Sequence, residues 1–163
     1  MAKQLKLKIV TPERLVLEEV VDQVSLPTTL GEITVLPDHI PLITGLASGD
    51  VVAYADGEHV PMAVVGGFVE VKSRRLEGSG SRPGASGQNG EFVTEVAVLA
   101  DFAEHVSEFS EEKIAQARAR AEELKQKMEN KEIVDFEHFE AELERSLTRV
   151  RIADKWRLKK YRK

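Results

Sequence analysis

The sequence predicts an α+β protein in which an N-terminal antiparallel β-sandwich is followed by a C-terminal antiparallel two-helix hairpin. Three observations support this fold class. All six prolines and all eleven glycines of the 163 residues lie before residue 105. In that part apolar residues alternate with polar ones, as in half-buried strands. After residue 105, Glu, Lys, Arg, Ala and Leu dominate, which is typical of helices. The predicted domains are therefore residues 1–105 and 106–163.

The predicted strands are short apolar runs bounded by turn residues. The first is the clearest, because lysines separate the apolar side chains of residues 5–9. The other runs are 15–17, 20–26, 33–36, 51–55, 59–65, 68–71 and 92–99. Pro27 is expected to end the run before it, since proline cannot donate to a strand ladder. Asp56-Gly57 predicts a two-residue hairpin turn, because both residue types tolerate positive φ.

Two amphipathic helices are predicted after the strands. Ser110 is the expected N-cap of the first helix, with Glu111 and Glu112 in the first turn, where the helix dipole favours anions. The apolar stripe of this helix is Ile114, Ala117, Ala121, Leu124 and Met128. Asp135 is expected to cap the second helix, and its stripe is Phe136, Phe139, Leu143, Leu147 and Val150. The short connection 130–134 predicts an antiparallel hairpin with a thin core.

Residues 77–90 differ from both parts. They contain five of the eleven glycines and no apolar side chain larger than proline, which predicts a long, flexible hairpin loop. The loop is either natural or introduced by cloning, because the flanking Leu-Glu-Gly-Ser and Glu-Phe resemble cloning sites. A phosphate-binding loop is disfavoured, since no lysine follows these glycines and a strand comes next.

Charge is distributed unevenly along the chain. The whole sequence has 28 acidic and 23 basic residues, for a net charge of −5. Residues 145–163 hold nine basic residues and one acidic residue, so this end carries +8 and residues 1–144 carry −13. The acidic balance does not suggest a general nucleic-acid binder. No apolar run approaches the roughly 18 residues that a membrane-spanning helix needs.

Residues suited to catalysis or metal binding are scarce. The absence of cysteine excludes thiolate chemistry and sulfur-based zinc sites. The four histidines, at positions 39, 59, 105 and 138, lie in different predicted elements without metal-ligand spacing. The serines lack the Gly-x-Ser-x-Gly turn of hydrolases. The sequence therefore favours a binding or structural module over an enzyme, and no metal site is expected.

Three motifs resemble the epsilon subunit of bacterial F-type ATP synthase, called delta in mitochondria. They are Leu-Lys-Ile-Val-Thr-Pro-Glu-Arg at 7–14, Gly-Glu-Ile-Thr-Val-Leu-Pro-Asp-His-Ile-Pro-Leu at 31–42 and Gly-Gly-Phe-Val-Glu-Val at 66–71. Residues 98–104 resemble the last strand and linker of that family, and the resemblance covers the chain except roughly residues 73–92. It implies the sandwich-and-hairpin plan, a non-catalytic subunit and no obligatory cofactor.

The resemblance also implies partners. The sandwich would sit at the foot of the central stalk, bound to the gamma subunit and to the c-ring, and would help to pass rotor torque between them. Glu32, Asp38 and His39 would face the c-ring. The hairpin would either fold onto the sandwich or extend along gamma into the alpha/beta catalytic head and block ATP hydrolysis. The chain would then be peripheral to the cell membrane, on its cytoplasmic face.

The basic end of the chain gives this switch a physical basis. Arg145, Arg149, Arg151 and Lys155 are expected to be attracted to an acidic loop of the catalytic beta subunits, and also to the acidic remainder of their own chain. Two competing surfaces predict a two-state hairpin. The alternative is a stand-alone adaptor that presents the basic helix to RNA or to an anionic membrane. The acidic front and the few aromatic residues near the basic end disfavour it.

Some family members bind ATP in the folded hairpin through an Ile/Leu-Asp-x-x-Arg-Ala motif. The matching stretch here, residues 109–114, reads Phe-Ser-Glu-Glu-Lys-Ile, so Ser replaces Asp, Lys replaces Arg and Ile replaces Ala. Lysine is a poorer phosphate fork than arginine. Together with Arg120, Arg145 and Arg149, Lys113 is therefore expected to form at most a weak ATP site.

Overall fold

Ten strands, a short 3-10 turn and two helices make up residues 4–75, 92–130 and 136–160, which are the residues that this computed structural model describes. The strands are β1 Leu5–Val10, β2 Leu15–Val21, β3 Gln23–Thr28, β4 Gly31–Val35, β5 Leu42–Gly45, β6 Gly49–Ala55, β7 Glu58–Val65, β8 Phe68–Arg75, β9 Phe92–Leu99 and β10 Phe102–His105. The helices are α1 Glu111–Glu129 and α2 Phe136–Lys160, and the 3-10 turn is Val106–Glu108. The predicted loop 77–90, residues 131–134 of the predicted connection and the predicted Asp135 cap lie outside the described residues.

The strands form two five-stranded sheets, which confirms the predicted sandwich. The first sheet has the order β2-β1-β9-β8-β5 and the second has the order β10-β7-β6-β3-β4. Paired strands run antiparallel except β1 and β9, which are parallel. The core between the sheets includes the fully buried Leu5, Leu7, Ile9, Val24, Leu26, Val35, Val51, Met62, Val64, Val69 and Val98.

The expectation that Pro27 ends a strand is wrong. β3 continues through Pro27, which lies opposite Glu32 of β4. On its other side, β3 pairs with β6 only from Gln23 to Ser25. The missing N–H of Pro27 therefore removes no ladder bond to β6, and proline is tolerated at such unpaired positions.

Two strands were not predicted. β5 and β10 have four residues each, which is too short for an alternating pattern to stand out. Each lies at one edge of its sheet, where β5 pairs with β8 and β10 pairs with β7. β8 also runs to Arg75, beyond the predicted end at residue 71, because β9 pairs with it over its whole length.

Two tight backbone positions explain local features of the sequence. Asp56 and Gly57 have φ of 52° and 83°, and they join β6 to β7 as predicted. Gly67 has φ of 107°, and a Cβ there would collide with the carbonyl oxygen of Leu99. Glycine at position 67 therefore lets the start of β8 approach the end of β9.

The two helices form the predicted antiparallel hairpin. The Ser110 hydroxyl accepts a hydrogen bond from the Lys113 amide at 3.2 Å, which confirms the predicted N-cap. Three ion pairs join the helices in antiparallel order, and they are Glu111–Arg157, Arg118–Asp154 and Arg120–Glu142. From the predicted α1 stripe, Ala117, Ala121 and Leu124 are buried.

The predicted apolar stripe of α2 is not its most buried face. Phe136 and Leu147 are exposed, whereas the buried residues within 136–157 are Ser146, Thr148, Ile152 and Ala153. The physical reason is that α2 packs against the second sheet, at β6 and β7, as well as against α1. Because α2 has two packing partners, its buried face differs from the face that a single partner helix would cover. Small or polar side chains can be buried where two elements approach closely.

Candidate functional site

The basic residues of α2 lie against the second sheet. The Lys155 ammonium donates to both carboxylate oxygens of Asp50 at 2.8 Å, and the Trp156 indole N–H donates to the same carboxylate at 3.0 Å. Asp50 belongs to β6 and is only 9% exposed. Because a buried carboxylate needs charged or hydrogen-bonding partners, the end of α2 supplies what Asp50 requires.

A second buried carboxylate lies on β10. Glu104 is 8% exposed and accepts a hydrogen bond from Arg149 Nε at 2.7 Å. Lys113 of α1 approaches its other oxygen at 3.4 Å. The Glu104 carboxylate therefore contacts both helices of the hairpin at once.

Weaker contacts complete the basic surface. The guanidinium groups of Arg149 and Arg145 lie 4.7 and 5.8 Å from the centre of the Phe102 ring, within the range of cation–π attraction. Arg151 donates to the Ser48 carbonyl oxygen at 2.8 Å. All four residues that were predicted to act on the catalytic head, from Arg145 to Lys155, thus contact the sandwich of their own chain.

The four residues of the predicted ATP site line one cavity of about 530 Å³ between α1, α2 and β10. These residues are Lys113, Arg120, Arg145 and Arg149. The same cavity contains the carboxylates of Glu104 and Glu142. The structure therefore brings four cations and two carboxylates together.

Most of these cations are already paired. Arg120 donates to Glu142 at 2.8 Å and to Glu123 at 2.7 Å. Glu104 forms ion pairs with Arg149 and Lys113. The hydrogen bonds from Arg120 hold the pKa of Glu142 below its usual value, and the same bonds raise the pKa of Arg120. A phosphate group would have to replace these carboxylates at the cations.

The three residues predicted to face the c-ring fall in two places along the chain, with Glu32 inside β4 and Asp38 and His39 beyond its end. Glu32 is on β4 and lines a small cavity of about 170 Å³ with Tyr54, His59 and Lys155. Asp38 and His39 follow the far end of β4, where the Asp38 amide donates to the Thr94 hydroxyl at 2.8 Å. From Glu32 to the end of β4 the strand alone covers about 10 Å.

The outer face of the first sheet carries an apolar patch, which we define as Ile43, Phe68 and Leu99. Their side chains are 73%, 63% and 54% exposed. Phe68 and Leu99 lie directly opposite each other on β8 and β9, and Ile43 is on the neighbouring strand β5. Contiguous exposed apolar side chains on a sheet typically mark an interaction surface.

Sequence reasoning missed the residues on the sandwich side of the hairpin contact. Asp50 is an isolated acidic residue near the start of β6. Phe102 and Glu104 belong to β10, whose four residues are too few to show a clear pattern. Only the order of strands in the second sheet shows that they share one surface under α2. The alternation of Phe102 and Glu104 was the one available signal, because it places both side chains on the same face of a strand.

Among residues 4–75, 92–130 and 136–160, no group of three or more His, Asp or Glu is arranged to hold a metal ion. In the same residues, neither helix is long and apolar enough to cross a membrane.

These features define a class of protein, a β-sandwich with a docked helical hairpin whose contact rests on buried carboxylates. Residues 4–77 match the family described as ATP synthase, Delta/Epsilon chain, beta-sandwich domain. The ATP synthase epsilon chain of Nitratidesulfovibrio vulgaris (strain DP4) is 36% identical over 152 residues, which are 93% of this chain and 97% of that one. The epsilon chain of Trichlorobacter lovleyi is 35% identical over 155 residues, covering 95% and 97%.

The chain therefore belongs to the ATP synthase epsilon chain family. Its fold is also similar to that of a chain in the cryo-EM structure of the Euglena gracilis mitochondrial ATP synthase OSCP/F1/c-ring, with a TM-score of 0.57. That match covers 86% of this chain and 76% of the other at 23% sequence identity, so it supports the fold.

Proposed function

We propose that this chain is a non-catalytic central-stalk subunit of an F-type ATP synthase, which links the gamma subunit to the c-ring on the cytoplasmic face of the membrane. The family membership supports the complex. The observation that carries the linking role is that the two outer faces of the sandwich differ. On the second sheet α2 packs against β6 and β7, whereas the first sheet presents the patch Ile43, Phe68 and Leu99.

The patch is the proposed gamma-binding surface. Its three side chains come from adjacent strands, so a partner can bury them together. Hydrophobic burial contributes about 25 cal/mol per Å² of apolar surface removed from water, which makes one large aromatic ring a sizeable part of such a contact. Glu32, Asp38 and His39 remain the proposed c-ring contacts, now as two separate parts of the sandwich.

The gamma surface is tested by Phe68→Glu in the full chain. We expect co-purification with the gamma subunit to be lost, because a charge would have to be buried in the apolar contact. Phe68 is exposed, so the fold and its thermal unfolding should not change. Met128→Glu, at another exposed apolar position, on α1, is the control and should retain gamma.

Retention of gamma by Phe68→Glu would contradict this assignment of the surface. Binding of the wild-type chain to RNA or anionic vesicles, without binding to gamma, would instead support the adaptor alternative. Gamma binding by Phe68→Glu therefore tests the proposed surface, and gamma binding by the wild-type chain tests the proposed function.

The proposal includes a brake on ATP hydrolysis. Arg149, Arg151 and Lys155 are held by carboxylate and carbonyl oxygens of the sandwich, which are contacts that an acidic surface of the catalytic head can also offer. Because one basic surface cannot occupy both places, the docked hairpin is the state in which hydrolysis proceeds. The extended hairpin is the state that inhibits.

ATP binding to the hairpin stays a prediction of weak binding. The favourable feature is the cavity of about 530 Å³ with four cationic side chains. The opposing feature is that Glu104 and Glu142 already form ion pairs with three of those cationic side chains. A phosphate contact to Lys113, Arg120 or Arg149 must therefore replace an existing ion pair, which reduces the net gain in free energy.

A further inference from the structure

Two buried carboxylates anchor the hairpin to the sandwich. Asp50 accepts from Lys155 and Trp156, and Glu104 accepts from Arg149 and Lys113. The carboxylates lie on separate strands, β6 and β10, with β7 between them. Every buried side-chain nitrogen and oxygen in the part of the chain that the structure describes has a hydrogen-bond partner. The docked state is therefore fully paired at this contact.

We propose that Asp50 and Glu104 act together as a latch that sets how much of the hairpin is docked and how much is released. The inference rests on the proposed function in one respect only, which is that the released hairpin inhibits ATP hydrolysis. The latch itself is a property of the isolated chain. Its residues position the hairpin and take no part in any reaction.

Burial explains why these two acids control the equilibrium. The ion pairs within the hairpin are far more exposed, as in Glu111–Arg157 and Arg118–Asp154, and exposed pairs contribute little. Asp50 and Glu104 are nearly inaccessible to water in the docked structure. On release both regain water on the outer face of the second sheet, which offsets part of the lost pairing and makes the latch reversible.

The latch also couples the two helices. Glu104 contacts Lys113 of α1 and Arg149 of α2, so neither helix can leave alone without breaking a bond to the same carboxylate. Asp50 holds only α2, near its C-terminal end. Loss of Glu104 removes one bond from each helix, and because both contacts hold α2, it should also raise the fraction of molecules in which the Asp50 contact is broken.

Trp156 reports on the latch. It is the single tryptophan of the sequence, it is bonded to Asp50, and its ring centre is 6.2 Å from that of His59 on β7. Release of α2 would expose the indole to water. Acrylamide quenching of its fluorescence then measures the released fraction.

The test compares full-length wild type with Glu104→Gln and with the control Glu142→Gln. Both variants lose one carboxylate from the same cavity, but Glu142 pairs with Arg120 inside the hairpin and not with the sandwich. Glu104 is not bonded to Trp156, so a change in quenching reports a change in docking. We expect Glu104→Gln to shift the docked-to-released ratio by roughly tenfold, as for the loss of a buried charged hydrogen bond.

A rise in quenching for Glu104→Gln, with the control at the wild-type value, is the expected result. Wild-type quenching in Glu104→Gln, or an equal rise in both variants, would overturn the latch. The second variant is Asp50→Asn. Because Asp50 contacts the indole of Trp156, this substitution could alter quenching without any release, so docking is measured instead by hydrogen exchange of the α2 amides. Its exchange should accelerate, and wild-type exchange would likewise overturn the latch. Hydrolysis assays test the brake separately, because the quenching measurement involves no other subunit.

Discussion

Asp50 and Glu104 show how single residues tie the acidic sandwich to the basic hairpin. Each is an acid in a strand, and each is almost completely buried. Buried carboxylates are costly unless they are paired, so their burial depends on Lys155 and Arg149 remaining in place. Side chains that stabilise one position of α2 in this way also resist its departure.

The Arg120–Glu142 pair predicts a pH dependence of the hairpin. Hydrogen bonds from Arg120 lower the pKa of Glu142 from its usual 4.5. A carboxyl whose pKa is lower in the folded state contributes stability above about pH 4.5 and loses it as the pH falls through the folded pKa. Helical circular dichroism on heating should therefore show that α1–α2 pairing weakens in that acidic range.

Glu142→Gln should remove that part of the acid sensitivity. Glu140→Gln, at an exposed position of the same helix, is the control and should leave it unchanged, because Glu140 does not pair with Arg120. Identical pH profiles for wild type and Glu142→Gln would show that the pair does not contribute.

At the scale of elements, turns and helix caps could be predicted from the sequence, whereas the packing partners of strands and helices could not. The Asp56-Gly57 turn and the Ser110 cap are set by neighbouring residues, and both are present as predicted. The continuation of β3 through Pro27 depends on which strand lies beside it. The buried face of α2 likewise depends on the sheet beneath it, which no helical periodicity reveals.

The same limit applies to the candidate site. The basic residues could be selected from charge alone, and they do form one surface. The acids that receive them, Asp50 and Glu104, are separated from α2 by up to about a hundred positions in the sequence. A contact of that kind follows from the strand order, which a single sequence does not state.

The domain boundary near residue 105 remains a proposal, and the core supports it. Among the residues that the structure describes, every buried member of the sandwich core lies between Leu5 and Ala103, and none comes from either helix. Residues 1–105 should therefore unfold in a single cooperative transition when heated without the hairpin. The control is the full chain, whose sandwich transition should lie close by. A broad, non-cooperative change in the shorter chain would contradict the two-domain proposal.

At the scale of the whole molecule, charge separation is the dominant feature. Residues 145–163 carry +8 and the remainder carries −13, and the structure brings parts of these two regions into contact. Two arrangements of one basic helix, one on its own sandwich and one on an acidic partner, make a two-state element. Such an element responds to any change that weakens one of the two contacts.

The brake predicts how charge reversal acts. Arg145→Glu, Arg149→Glu and Arg151→Glu together place an acid against Glu104, which should release the hairpin from the sandwich. The released hairpin nevertheless lacks the charges that attract it to the catalytic head. At about 1 kcal/mol or less for each exposed contact, three reversals should weaken that attraction substantially.

The most direct test of the account is ATP hydrolysis by the reconstituted catalytic complex with saturating wild type, Glu104→Gln or the triple reversal, across a series of salt concentrations. At low salt we predict the strongest inhibition with Glu104→Gln, intermediate inhibition with wild type and the weakest with the reversal. The differences should fade as salt screens the charges. Equal inhibition by the reversal and by Glu104→Gln at every salt concentration would contradict the claim that the basic face of α2 chooses between two acidic surfaces.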